Sequence, residues 1–86
     1  MKEFRYISQV KVRQICIKYD LFTCGDNDSY NDLFEYIGNL TRKGQNVSVE
    51  KLRFIAKIIK DNSDKDYSIS EIMLILNEEC CATVFE

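Results

Sequence analysis

Three basic side chains, Arg53, Lys57 and Lys60, stand at i, i+4 and i+7 and share one face of any helix that contains them. A ridge of this kind can lie along phosphates, and Arg42, Lys43 and Lys51 add positive charge near its start. Asp28, Asp32 and Glu35 repeat the spacing with opposite sign, so the two stripes can also face each other or stand solvated. The net charge of −2 counts against a nucleic-acid footprint, which depends on a basic surface.

Other chemistry finds less support. Cys16, Cys24, Cys80 and Cys81 are the right ligand type for zinc. Zinc sites pair their ligands about two to four residues apart, however, and a wide gap followed by an adjacent pair does not supply this. Reduced thiols that behave as small hydrophobes are expected instead. Asn62, Asp64 and Asp66 mimic the first ligands of a calcium loop, but Tyr67 stands where the sharp turn needs glycine and Met73 where the bidentate Glu belongs. Histidine is absent, which removes the commonest general base and metal ligand. The carboxylates are numerous but fall at exposed helical or turn positions, without a nucleophile and base beside them. The expectation is no enzyme, no metal and no cofactor.

The elements that must position these residues read as helices. Val12, Ile15, Cys16 and Tyr19 have helical spacing; Tyr6, Val10 and Val12 also fit a strand, and length decides for helix over about 8–20. Gly25 and the Asx residues around it break the pattern. With Asp28 as N-cap, Tyr30, Leu33, Phe34, Ile37 and Leu40 trace one apolar face over 28–41, after which Gly44 suits a left-handed position. Ser48 caps a third helix, 48–61, whose face is Leu52, Ile55, Ala56 and Ile59, joined by Val49 and Ile58, with Val47 as a staple onto Leu52. Ser68 to Glu71 is a capping box opening a fourth, 68–84. Its face is Ile69, Ile72, Met73, Leu76 and Cys80, and Leu74, Ile75, Val84 and Phe85 widen it enough to require more than one neighbour. The predicted fold is an all-α, compact four-helix domain spanning 1–86.

Charge follows these segments in blocks. Residues 1–19 set five bases against Glu3, 20–40 carry five acids, 41–60 set six bases against Glu50, and 61–86 set seven acids against Lys65. Alternation of this kind suits elements that neutralise one another and leave a bipolar surface. A helix-turn-helix over Val49 to Leu76 fits poorly, because the connection Asp61 to Tyr67 exceeds the usual turn of about 3–4 residues. Its second helix carries Glu71, Glu78 and Glu79 and no base.

Three runs carry a resemblance: Val12-Arg13-Gln14-Ile15-Cys16, then Phe22-Thr23-Cys24-Gly25-Asp26-Asn27-Asp28-Ser29-Tyr30, then Ile72 to Glu79. The chain resembles a family of small helical proteins of low-GC Gram-positive bacteria, encoded beside phage, plasmid or conjugative-element genes. The resemblance covers most of the chain and brings no activity with it. It implies a setting in which small acidic proteins bind host or element-encoded proteins, defence nucleases among them. The expected function is therefore a protein-binding module, an accessory or inhibitory factor of a mobile element. Tyr30, Tyr36, Arg53, Lys57 and Lys60 are the expected binding residues, because Tyr and Arg anchor interfaces. A small DNA-binding regulator using the basic ridge is the alternative. No apolar run approaches the roughly 20 residues of a membrane span and no signal peptide is evident, so a cytoplasmic location is expected. The oligomeric state stays open.

Overall fold

Each helix begins where a side chain can accept an otherwise unpaired backbone N–H. Ser8 Oγ accepts from Lys11 N (3.3 Å), Asp26 Oδ1 from Ser29 N (2.8 Å), Ser48 Oγ from Lys51 N (3.2 Å) and Ser68 Oγ from Glu71 N (3.1 Å). These caps open α1 (Gln9–Lys18), α2 (Asn27–Arg42), α3 (Val49–Asp61) and α4 (Ile69–Ile75) in the computed structural model. The model describes residues 3–43 and 46–85, with side-chain surroundings described over 6–43 and 46–81. Gly44 lies outside the described residues. The capping box at Ser68 is complete, Glu71 Oε1 accepting from Ser68 N in return.

The all-α class holds, and two boundaries move. The cap of α2 is Asp26 rather than Asp28, which falls in the first helical turn. Bonds from Ser29 hold the Asp26 carboxyl below its ordinary pKa. The fourth helix does not reach residue 84. It passes into a π-helical turn, Leu76–Cys80, and then into a strand, β2 (Cys81–Phe85). That strand pairs antiparallel with β1 (Glu3–Ile7), in register from Ile7 opposite Cys81 to Glu3 opposite Phe85. Thr83, Val84 and Phe85 are β-branched or aromatic and favour this ending over more helix. Ser8 N donates to Cys80 O (2.9 Å), which ties the start of α1 to the π turn beside the ribbon.

The inward faces meet in one core. Ile7, Val12, Leu33, Phe34, Ile37, Ile55, Ile59, Ile72 and Leu76 are essentially inaccessible to solvent, and no polar or charged side chain is buried among the described residues. Val47 and Leu52 are both buried, as the staple requires.

The Phe22-Thr23-Cys24-Gly25-Asp26-Asn27 run has a structural task. Asp20 and Phe22 both take left-handed backbone (φ 55° and 61°), which for an aromatic residue is strained. The strain lets Phe22 turn its ring inward, edge-on to Tyr30 (5.3 Å between centroids), while Tyr30 meets Phe34 at 4.5 Å. The ring lies directly over Gly25, where a Cβ would stand 2.3 Å from Phe22 Cε1. Thr23 Oγ1 donates to Asp64 Oδ1 (2.6 Å) and accepts from Asp64 N (2.9 Å), and Cys24 N donates to Asn62 O (2.8 Å). The α1–α2 connection is thereby clamped onto the α3–α4 connection, with Lys65 paired to Asp20 (3.2 Å) alongside.

Candidate functional site

The basic ridge of α3 is partly engaged within the fold. Lys57 Nζ pairs with Asp61 Oδ2 (3.2 Å) one turn on, and Lys60 Nζ donates to the backbone carbonyl of Tyr67 (2.7 Å). Arg53 is exposed and takes part in none of the ion pairs among the described residues. The acidic stripe of α2, Asp28, Asp32 and Glu35, is exposed and likewise contributes to none of them. The basic first block meets the acidic last one through Lys18–Glu79 (3.8 Å), while Lys65, the lone base of the last block, links it to Asp20 of the acidic second. Both are exposed pairs of small energetic weight.

The two tyrosines have different roles. Tyr30 is half-buried between Phe22 and Phe34, and the Arg13 guanidinium lies 4.4 Å from the Phe34 ring centroid and 5.8 Å from that of Tyr30. It completes the core edge. Tyr36 is also half-buried, but its ring packs at 5.1 Å and 54° against Phe54, which is 50% exposed. Phe54 was not legible as a surface residue because α3's apolar stripe runs through Leu52, Ile55, Ala56 and Ile59. A lone aromatic off that stripe is the signal that would have found it.

Concavities flank the helices, two of them lined largely by apolar atoms. One, of about 420 Å³, lies between the β1–α1 junction and α2 and includes Tyr6, Gln9, Phe34, Glu35, Gly38 and Arg42. Gln9 Nε2 donates to Phe34 O (2.8 Å) and Thr41 Oγ1 to Ile7 O (3.0 Å), fixing its walls. The other, of about 330 Å³, runs between α3 and α4 and is lined by Val49, Leu52, Ser70, Met73, Leu74 and Asn77. Val49 and Leu74, both expected on buried faces, are 72% and 58% exposed. Val49 is the first residue of α3 and stands at the edge of its stripe; Leu74 lies on the side of α4 away from buried Ile72 and Leu76.

The thiols are separated by burial. Desolvation raises Cys16 to about 11 and, with smaller effects from neighbouring Cys81, Cys16 and Glu79, raises Cys80 to about 12. Both are protonated at neutral pH and are poor nucleophiles and ligands in that form. Cys24 is exposed. Among the described residues no group of three or more His, Cys, Asp or Glu side chains is placed to hold a metal ion. In the calcium-like run, Asn62 Nδ2 donates to Ile58 O and Asp64 is engaged by Thr23. Among the described residues no helix is long and apolar enough to cross a membrane. Comparison with known proteins found no matching family model, no matching curated protein and no matching solved structure.

Proposed function

We propose that this chain is a small non-enzymatic protein-binding module that acts in the cytoplasm as an accessory or inhibitory factor of a phage or mobile element, on a host or element-encoded protein. The observation that supports it is the Tyr36–Phe54 pair. A half-exposed phenylalanine braced by a tyrosine from the preceding helix presents aromatic area that is already ordered. Little side-chain entropy remains to be lost on contact, and aromatic anchors of this kind carry much of the energy of protein interfaces. The DNA-binding alternative draws on Arg53, Lys57 and Lys60, two of which already have partners within the chain.

The test compares tagged wild type with Phe54→Asp in crosslinking pull-downs from a host that carries the element, with circular dichroism to verify the fold. Loss of a wild-type partner in the variant supports the reading. Equal recovery of every partner by both proteins overturns the assignment of this surface.

A further inference from the structure

The helices α3 and α4 form an antiparallel hairpin. At one end Lys60 reaches the carbonyl of Tyr67 just before α4; at the other, Val49 and Leu52 meet Met73, Leu74 and Asn77 around the apolar groove. On α4 and the π turn that continues it, the residues lining this groove, Ser70, Met73, Leu74 and Asn77, follow i, i+3, i+4 and i+7, the stripe that one helix presents to another. Tyr36 and Phe54 lie on the opposite edge of α3, toward α2, so the groove is a separate surface.

Charge differs on its two sides. On the α3 side, Arg53 stands one turn beyond Val49. On the α4 side, Glu71 precedes Leu74 by about one turn, and Glu78 follows it in the π turn. Arg53, Glu71 and Glu78 are exposed and belong to none of the ion pairs among the described residues; Glu71 Oε1 accepts the cap bond from Ser68 N (3.4 Å). A patch that is basic on one side, apolar along the middle and acidic on the other is self-complementary under one operator. A two-fold axis running along the groove places the basic side of each copy against the acidic side of the other, and Val49 against Leu74. Because the hairpin is antiparallel, the same operator sets α3 of one copy antiparallel to α4 of its partner, the geometry of a four-helix bundle. An axis across the groove would instead oppose Arg53 to Arg53. A foreign helix would need acidic and basic edges in the right order, and this chain already carries both.

We propose that the α3–α4 groove is the interface of a symmetric dimer of this chain. Sedimentation equilibrium on the full chain across a wide concentration range tests it. Wild type should approach twice the 10.1 kDa chain mass, and Leu74→Asp, at a solvent-facing position that leaves the core intact, should remain at the chain mass with an unchanged circular dichroism spectrum. With Val49 against Leu74 and the helices antiparallel, Arg53 of each copy meets Glu71 of the other. Arg53→Glu and Glu71→Lys should therefore each raise the dissociation constant about tenfold, since symmetry makes every substitution act twice, with circular dichroism verifying that the helix cap survives. Together the two should restore wild-type association, which a merely structural role for either residue does not predict. Wild type that stays monomeric throughout, a dimer that survives Leu74→Asp, or a double swap no better than the single ones overturns the proposal. The mass measurement needs no foreign partner, so its outcome is independent of the Phe54 pull-down.

Discussion

Replacing Gly25 with alanine should destabilise the protein through a single contact. The added Cβ would lie 2.3 Å from Cε1 and 2.8 Å from Cδ1 of Phe22, well inside van der Waals distance, so the ring must leave its seat or the backbone must shift. Displacing the ring forfeits about 1.5–3 kcal/mol of burial and about 0.5–1.5 kcal/mol of its edge contact with Tyr30. Alanine returns about 0.4–1 kcal/mol by restricting the unfolded chain. Relief of backbone strain at Phe22 offsets about 1 kcal/mol more, leaving a net loss of about 2 kcal/mol. In a domain of this size that lowers Tm by about 8–16 °C. The assay is urea unfolding followed by circular dichroism, run as a cycle with Phe22→Ala. Once the ring is gone the nearest obstacle to the new Cβ is Asn62 Cβ at 3.0 Å, so Gly25→Ala should cost little in that background. Additive effects of the two substitutions would refute the claim that Phe22 imposes glycine at position 25.

Two further outcomes follow from the caps and the thiols. Ser68→Ala should cost about 0.5–2 kcal/mol in denaturant melts by opening the capping box, while Ser63→Ala should cost less than about 0.5 kcal/mol. Cys16 and Cys80 keep their protons in the folded state up to about 11 and about 12, whereas the unfolded chain releases them from the ordinary thiol value of 9.0. The unfolded state thus binds fewer protons above that value, and stability should fall as pH rises through this window. Urea midpoints measured against pH should decline less steeply in Cys16→Ala than in wild type, and a thiol reagent at neutral pH should label Cys24 in native protein but Cys16 and Cys80 only after unfolding.

What could be read in advance was local. Ser48, Ser68 and Glu71 announce helix starts through hydrogen bonds spanning three residues, and the stripe from Leu33 to Leu40 needs only the helical period. The ribbon was hidden because β1 and β2 lie at opposite ends of the chain, and the spacing of Ile72, Leu76 and Cys80 continues a helical pattern until a π turn redirects it. Phe22 gives no local sign of its left-handed backbone, which becomes intelligible only with Gly25 beneath the ring and Tyr30 beside it. The Lys57–Asp61 pair needs only an i, i+4 spacing on one helix. The engagement of Lys60 by a backbone carbonyl in the next connection, and the seat of Tyr30 in the core edge, depend on tertiary packing. Phe54 was missed for the same reason, since its partner Tyr36 belongs to another helix.

Whether the partner is protein, as proposed, or nucleic acid is tested most directly by a duplex-DNA titration at about 150 mM salt. Non-specific binders have dissociation constants of roughly 10⁻⁴–10⁻⁶ M under such conditions. Wild type should give no shift below the micromolar range, because Lys57 and Lys60 are engaged within the chain and α4 and the π turn after it present Glu71 and Glu78. A sequence-selective shift at nanomolar concentration, abolished when Arg53, Lys57 and Lys60 are all replaced by Glu, would contradict the account and make the α3 ridge a DNA-reading surface.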